Sequence, residues 1–165
     1  MGVATSPQKV LDDLASQLAT RIPTAIDDLI SDGSPALVDP AAVAVLSDID
    51  SPIPAARPHV ALSITGSPEI EELGSPFRYN RIPVTVSVTH SHDTDIATSE
   101  KFAWYYCRAV DLALTRTRDA GSISGVFQIN NISTSVEPTT ANRGGRAARV
   151  SVVSCTVHFK EQRGT

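Results

Sequence analysis

The densest grouping of chemically able side chains is Thr89-His90-Ser91-His92-Asp93-Thr94-Asp95. On an extended chain His90 and His92 point to the same side, so two imidazoles are spaced to share a metal ion, with Asp95 as a further donor. The pattern then breaks off. A complete metal motif of this wording needs an aspartate at 94 and a histidine at 95, where the chain has Thr94 and Asp95, and the remaining imidazoles, His59 and His158, are remote in sequence. The reading is a solvated strand-to-helix turn in which Thr94 or Asp95 caps the following helix. A metal-dependent enzyme using His90, His92 and Asp95 is the rival.

Other candidates lack a required atom. Gly121-Ser122-Ile123-Ser124-Gly125 has the outline of a nucleophile elbow, but Ile123 occupies the place of the nucleophile. The acidic pairs Asp27-Asp28 and Glu71-Glu72 do not converge as an acid and base must. Arg143-Gly144-Gly145-Arg146 reads as a hairpin tip whose glycines permit positive φ. No phosphate-cradling glycine loop or dinucleotide fingerprint is present. The sequence thus points to a protein that is not an enzyme and carries no metal or cofactor.

The elements around these residues form a simple series. Ser6-Pro7 is a helix start, followed by Asp12 and Asp13 and an apolar stripe of Leu11, Leu14, Leu18, Ile22, Ile26 and Leu29, with Ala15 and Ala25 beside it. Pro23 is expected to kink or split this helix and Gly33 to end it. A connector at 34–58 follows, with prolines at 35, 40, 52, 54 and 58. Asp39-Pro40 with Ala41, Ala42, Val43 and Leu46 suggests a short helix inside it.

Strands are expected at His59–Thr65 and Ile82–His90 from their alternation, with a long loop at Gly66–Arg81 between them. Asp95–Arg118 forms the central helix, with Phe102, Tyr106, Ala109, Val110 and Ala113 on one face. Trp104 falls half a turn away between Lys101 and Arg108, either at the rim of the core or in a subunit contact. Closing strands are expected at Val126–Val136, with Phe127, Ile129 and Ile132 inward, and at Ala147–Phe159, with a bulge near Val152. At about 3.3 Å per residue the last of these spans about 40 Å, an arm long enough to reach a neighbouring subunit. The expected fold is α+β, an N-terminal helix and one central helix packed on a mainly antiparallel sheet of about four strands, in one domain over 1–165.

A chain of 165 residues with 41% hydrophobic but only 5% aromatic residues builds an aliphatic core. A net charge of -4 with no basic block argues against tight nucleic-acid binding. Cys107 and Cys155 fit neither a disulfide framework nor a zinc site and read as buried thiols. There is no signal-peptide pattern and no apolar run of membrane-spanning length. The expectation is a protein made and kept in a cytosol, without a membrane.

The order helix, proline-containing connector, strand pair opened by Arg81-Ile82-Pro83-Val84-Thr85-Val86, helix with Arg108-Ala109-Val110 and two closing strands resembles the tail terminator proteins of long-tailed bacteriophages. The resemblance covers nearly the whole chain. It implies a structural virion protein of the tail–neck region, a homo-oligomer forming a hexameric ring on the last ring of major tail protein. Such a ring ends tube polymerisation and joins the tail to the head–tail connector or stopper, with DNA passing through the lumen without specific binding. On that reading Lys101, Trp104 and Arg108 meet an adjacent subunit. The loops carrying Glu69, Glu71, Glu72, Arg78 and Arg81, and Arg143 and Arg146, then meet the tube or connector. Another neck component, a head–tail connector or head-completion protein, is the nearest alternative, and a monomeric binding module with an acidic loop is a more distant one.

Overall fold

The computed structural model describes residues 6–45, 58–72, 76–92, 96–138 and 147–162. Its element order is α1 (Pro7–Ser31), β1 (Ala42–Val45), β2 (His59–Ile64), β3 (Glu69–Glu72), β4 (Phe77–His92), α2 (Ile96–Ala120), β5 (Val126–Pro138) and β6 (Ala147–Gln162). This is an α+β fold in which both helices cover one face of a mostly antiparallel sheet. Among the described residues the sheet has six strands where about four were expected, in the order β1-β2-β4-β6-β5, with β3 also paired to β4.

The alternation in β4 and β6 dictates the layer structure. Even-numbered Ile82, Val84, Val86 and Val88 and odd-numbered Val153, Val157 and Phe159 are fully buried beneath the helices. Their intervening residues turn to the opposite face, which no helix covers among the described residues. The two strands pair without interruption from Phe77↔Gln162 to His92↔Ala147, so the bulge expected near Val152 is absent from this ladder. It lies on β5 instead, which gains one extra residue between Val126 and Gln128 and another between Asn130 and Ser133. The first of these turns Phe127 outward, to 42% exposure, while Val126 and Ile129 keep the helix side. The expected inward Phe127 is therefore corrected, whereas Ile129 is buried and Ile132 packs at the margin of the core. At the second, Asn131 takes a φ of 52°, a left-handed conformation its side chain tolerates.

Pro83 sits mid-strand without breaking the sheet. On its free edge the ladder passes from β2, which ends at Ile64↔Val84, to β3, which starts at Glu69↔Arg81. The missing N–H falls in that gap, and the Pro83 carbonyl there accepts from the Thr65 amide at 3.0 Å. The stretch expected as a loop at Gly66–Arg81 is thus mainly a hairpin of β3 against the start of β4, stabilised by pairing that its run of glutamates conceals. Similarly, Ala42–Val45 is not a helix but a strand parallel to β2, from Ala42↔His59 to Val45↔Leu62. Alternating alanine and valine suit a pleated edge better than the short helix suggested by Asp39-Pro40.

In α1 the Ser6 side chain accepts from the Lys9 amide at 3.1 Å and Pro7 opens the helix, as its position predicts. Asp12 and Asp13 lie beyond the first turn, which carries no acid. The helix runs unbroken through Pro23. Ile22 and Ile26, fully buried on either side of it, each contribute roughly 1.5–3 kcal/mol and together offset the roughly 3 kcal/mol that a mid-helix proline costs. Beyond Ser31, Gly33 takes a φ of 95° and ends the helix as expected.

The two helices are joined by Arg116 and Asp28, 2.6 Å apart. The α2 stripe is as expected: Tyr106, Ala109, Val110 and Ala113 are buried, with Phe102 at the margin. Ser151 donates to the Ala103 carbonyl at 2.8 Å, fixing the N-terminal third of α2 over one end of β6. The segment after α1 is held by Tyr106, whose hydroxyl accepts from the Val38 amide and donates to the Val38 carbonyl, both at 3.1 Å.

Candidate interaction surfaces

The metal reading depends on where His90 points. As an even-numbered β4 residue it turns toward the helices, is buried, and lies with its ring 5.0 Å from that of Tyr106. Asp93, Thr94, Asp95 and the His92 side chain lie outside the described residues, as do Arg143 and Arg146. Among the described residues no three histidines, cysteines or carboxylates converge as a metal site. Burial raises the thiol pKa of both cysteines, that of Cys155 to about 12, which leaves them protonated and unreactive at neutral pH.

The helical face singled out around Trp104 is present on the outside of α2. Lys101, Trp104 and Arg108 are all exposed, and Trp104 keeps 47% of its surface in contact with solvent. Helical spacing puts Lys101 and Arg108 one turn either side of it. Arg108 donates to Asp111 at 2.8 Å, so its charge is partly satisfied within the helix. The stripe turned toward the sheet lies across the helix axis from this face.

The second expected set is divided by the β3–β4 hairpin. Glu69, Ile70, Glu71 and Glu72 are all exposed. Arg81 lies 3.4 Å from Glu69 and 3.7 Å from Glu71, with solvent around all three. Arg78 is differently placed. Its Nε and a terminal nitrogen reach the two oxygens of Glu161 at 2.9 and 3.2 Å, and the Asn80 amide donates to the same carboxylate at 2.8 Å. Glu161 is only 5% exposed, so these donors compensate a buried charge and make Arg78 chiefly a structural residue. Hydrogen bonding to Glu161, then its charge, raises the Arg78 pKa.

Sequence reasoning missed an aromatic corner on the helix-free side of the same end. Tyr79 and Phe127 meet edge to face at 5.1 Å, Phe127 lies 6.0 Å from His158, and the Lys160 ammonium sits 4.0 Å over the Phe77 ring. His158 also bonds Asn130 at 3.0 Å. Partial burial first, and then the Arg81 cation, hold the His158 pKa below its ordinary value, with Glu69 acting in the opposite sense. The signal was present in the sequence. Phe77, Tyr79 and Arg81 share the parity of Pro83 and Thr85, but the corner emerges only when β4 is extended upstream of Ile82.

Among the described residues no helix is long and apolar enough to cross a membrane. Compared with protein-family models and with curated protein sequences, the chain matches none. The candidate site is accordingly a pair of surfaces: a tryptophan-centred helical face and the hairpin end of a long β ladder.

Proposed function

We propose that this chain is a structural protein of a long-tailed phage neck, a tail terminator that caps the tail tube as a ring of about six copies, ends tube growth and joins the tail to the head connector. The observation that carries the reading is the exposed Lys101–Trp104–Arg108 face on the outside of α2. A tryptophan held in solvent between two cations suits a subunit contact, where tryptophan and arginine are enriched. A two-layer chain presents different surfaces on its helix and sheet sides, as a head-to-tail ring requires.

In this reading the hairpin bearing Glu69, Glu71, Glu72 and Arg81 contacts the tube or connector, while Arg143 and Arg146, outside the described residues, are assigned such a contact by the sequence resemblance alone. Arg78 supports the hairpin from within through Glu161. DNA passes through the lumen without specific binding, since a chain of net charge -4 gains little from counterion release. The activity is mechanical, and needs no catalytic residue or cofactor.

The test is to add the purified chain to polymerising tail tube protein. The expected result is tubes that stop lengthening and carry ring density at one end, with Trp104→Ala failing to cap at the same concentration. Tubes that grow unchanged, with no density at their ends, would remove the terminator assignment.

A further inference from the structure

Two polar side chains beneath the first turn of α2 have no role in the packing. Ser99 begins the inward stripe of the helix, one turn before Ala103 and two before Tyr106, and is fully buried. Its Oγ has no hydrogen-bond partner among the described residues. Native proteins keep few buried hydroxyls in that state, because each forfeits its bonds to water. Arg149 lies at the same end of the sheet. It is the register partner of His90 and has the inward parity of Ser151 and Val153. Its Nε is also closed to solvent and without a partner, and Arg149 forms no ion pair among the described residues. A guanidinium cannot shed its proton, so one that turns inward is ordinarily paired.

Helix direction and strand register bring the two together. Ser151 bonds the Ala103 carbonyl, so Ala103 lies over Ser151. One turn on, Cys107 donates to the carbonyl of Ser135, which pairs with Val152, and beyond the helix the Gly125 carbonyl accepts from Lys160. α2 therefore runs in the same direction as β6. Going back from Ala103 and Ser151, four helical residues cover about 6 Å and two strand residues about 7 Å, which places Ser99 over Arg149. The positive end of the α2 dipole lies at the same spot. Among the described residues no carboxylate answers it. Glu100 is exposed on α2, Asp39 acts on the Tyr106 hydroxyl, and Glu137 pairs in register with Val150 and so turns to the other face.

We infer that this end of the sheet is a binding site for an oxyanion, in which Arg149 supplies the charge and its Nε–H, Ser99 a hydroxyl donor, and the N-terminus of α2 a favourable field. The ligand chemistry is that of a phosphate or a carboxylate, since both match the planar fork of a guanidinium. Arg149 is half-buried, so a ligand arriving from solvent reaches it, while Nε and the Ser99 hydroxyl are the inner donors. Two sources share this chemistry, a free phosphate and a carboxylate carried by another protein chain, and the test separates them. The inference does not depend on the ring reading.

Thermal unfolding at fixed ionic strength in sodium phosphate, sodium acetate or sodium chloride tests this, with the Arg149 Nε–H resonance followed in nitrogen–proton spectra of the same samples. The expected result is a higher Tm in an oxyanion salt than in chloride, together with a shift of that resonance. Phosphate acting alone assigns a phosphate ligand, and acetate acting as well assigns a carboxylate. Arg149→Gln should weaken binding by roughly tenfold or more, the loss of a charge-assisted hydrogen bond, and Ser99→Ala by severalfold. Arg149→Lys, which keeps the charge without the fork, should recover part of the affinity, and Arg108→Gln, on the solvent face of α2, should change nothing. Circular dichroism verifies that each variant is folded. Oxyanions that protect no better than chloride, or protection that survives unchanged in folded Arg149→Gln and Ser99→Ala, would overturn the inference. If neither variant folds, the wild-type spectrum decides, and an Nε–H resonance that neither oxyanion moves would overturn it as well.

Discussion

Replacing Tyr106 with phenylalanine removes one oxygen and leaves the ring where it is, against His90 and the core. That oxygen accepts from the Val38 amide and donates to the Val38 carbonyl, each at 3.1 Å. An ordinary protein hydrogen bond contributes about 0.5–1.5 kcal/mol net, so the pair sets a range of about 1–3 kcal/mol. Val38 is 48% exposed, so water can reach its backbone groups once the hydroxyl is gone, which puts the expected loss near the lower limit, about 1 kcal/mol. For a chain of this size that corresponds to a fall in Tm of roughly 2–4 °C. The local effect should exceed the global one, because the hydroxyl fastens the segment leading into β1 to α2. Urea unfolding should give the small free-energy loss with an unchanged m-value, and hydrogen exchange should show faster exchange at the Val38 amide with the α2 core unaffected. Tyr106→Ala, which also empties a core position, should cost about 3–5 kcal/mol. Unchanged stability together with unchanged Val38 exchange in the phenylalanine variant would refute the clamp.

Three further outcomes follow from the same structure. The Trp104 side chain, with 47% of a surface of about 250 Å² exposed, offers about 3 kcal/mol to a partner at roughly 25 cal/mol per Å²; in the proposed ring, Trp104→Ala should weaken each contact by about 100-fold in sedimentation while leaving the Tm of the isolated subunit nearly constant. Burial raises the Cys155 pKa from 9.0 to about 12, and since an unfolded thiolate forms first, stability present below pH 9 should decline as pH rises toward 12, by up to about 4 kcal/mol. Cys155→Ala should flatten that alkaline limb in unfolding titrations, and an unaltered limb would contradict the assignment. At Asn131, where φ is 52°, Asn131→Gly should be tolerated and Asn131→Val should lose about 1–2 kcal/mol of stability by thermal unfolding; equal Tm values for the two would place the β5 bulge elsewhere.

How much of the fold could be read in advance depended on whether its cause was local. The alternation of Ile82, Val84, Val86 and Val88, the helical spacing of Tyr106, Ala109, Val110 and Ala113, and the Ser6-Pro7 start all report nearest-neighbour geometry, and all are found. The missed elements depend on distant partners. Glu69–Glu72 shows no apolar alternation, and becomes a strand because β4 is there to pair with it and Arg81 lies among its carboxylates. Ala42–Val45 follows a credible helix cap, yet the edge of β2 captures it. Phe127 has the parity of an inward residue until a bulge, set by pairing with β6, reverses it. The candidate surfaces divide in the same way. The Trp104 face was legible because a helix fixes its own angles. The aromatic corner joins β4, β5 and β6 and exists only in the folded sheet. The buried Glu161 pairs with a residue 83 positions away, Arg78, and nothing local to either announces it.

Whether the chain forms the proposed closed ring is read most directly from the mass of the purified, untagged protein in solution, alone and with tail tubes, with electron images of both samples. The prediction is one particle of about six copies, seen end-on as a ring, either free or seated at the end of a tube. A single-copy mass that persists in the presence of tubes, with bare tube ends, would contradict it.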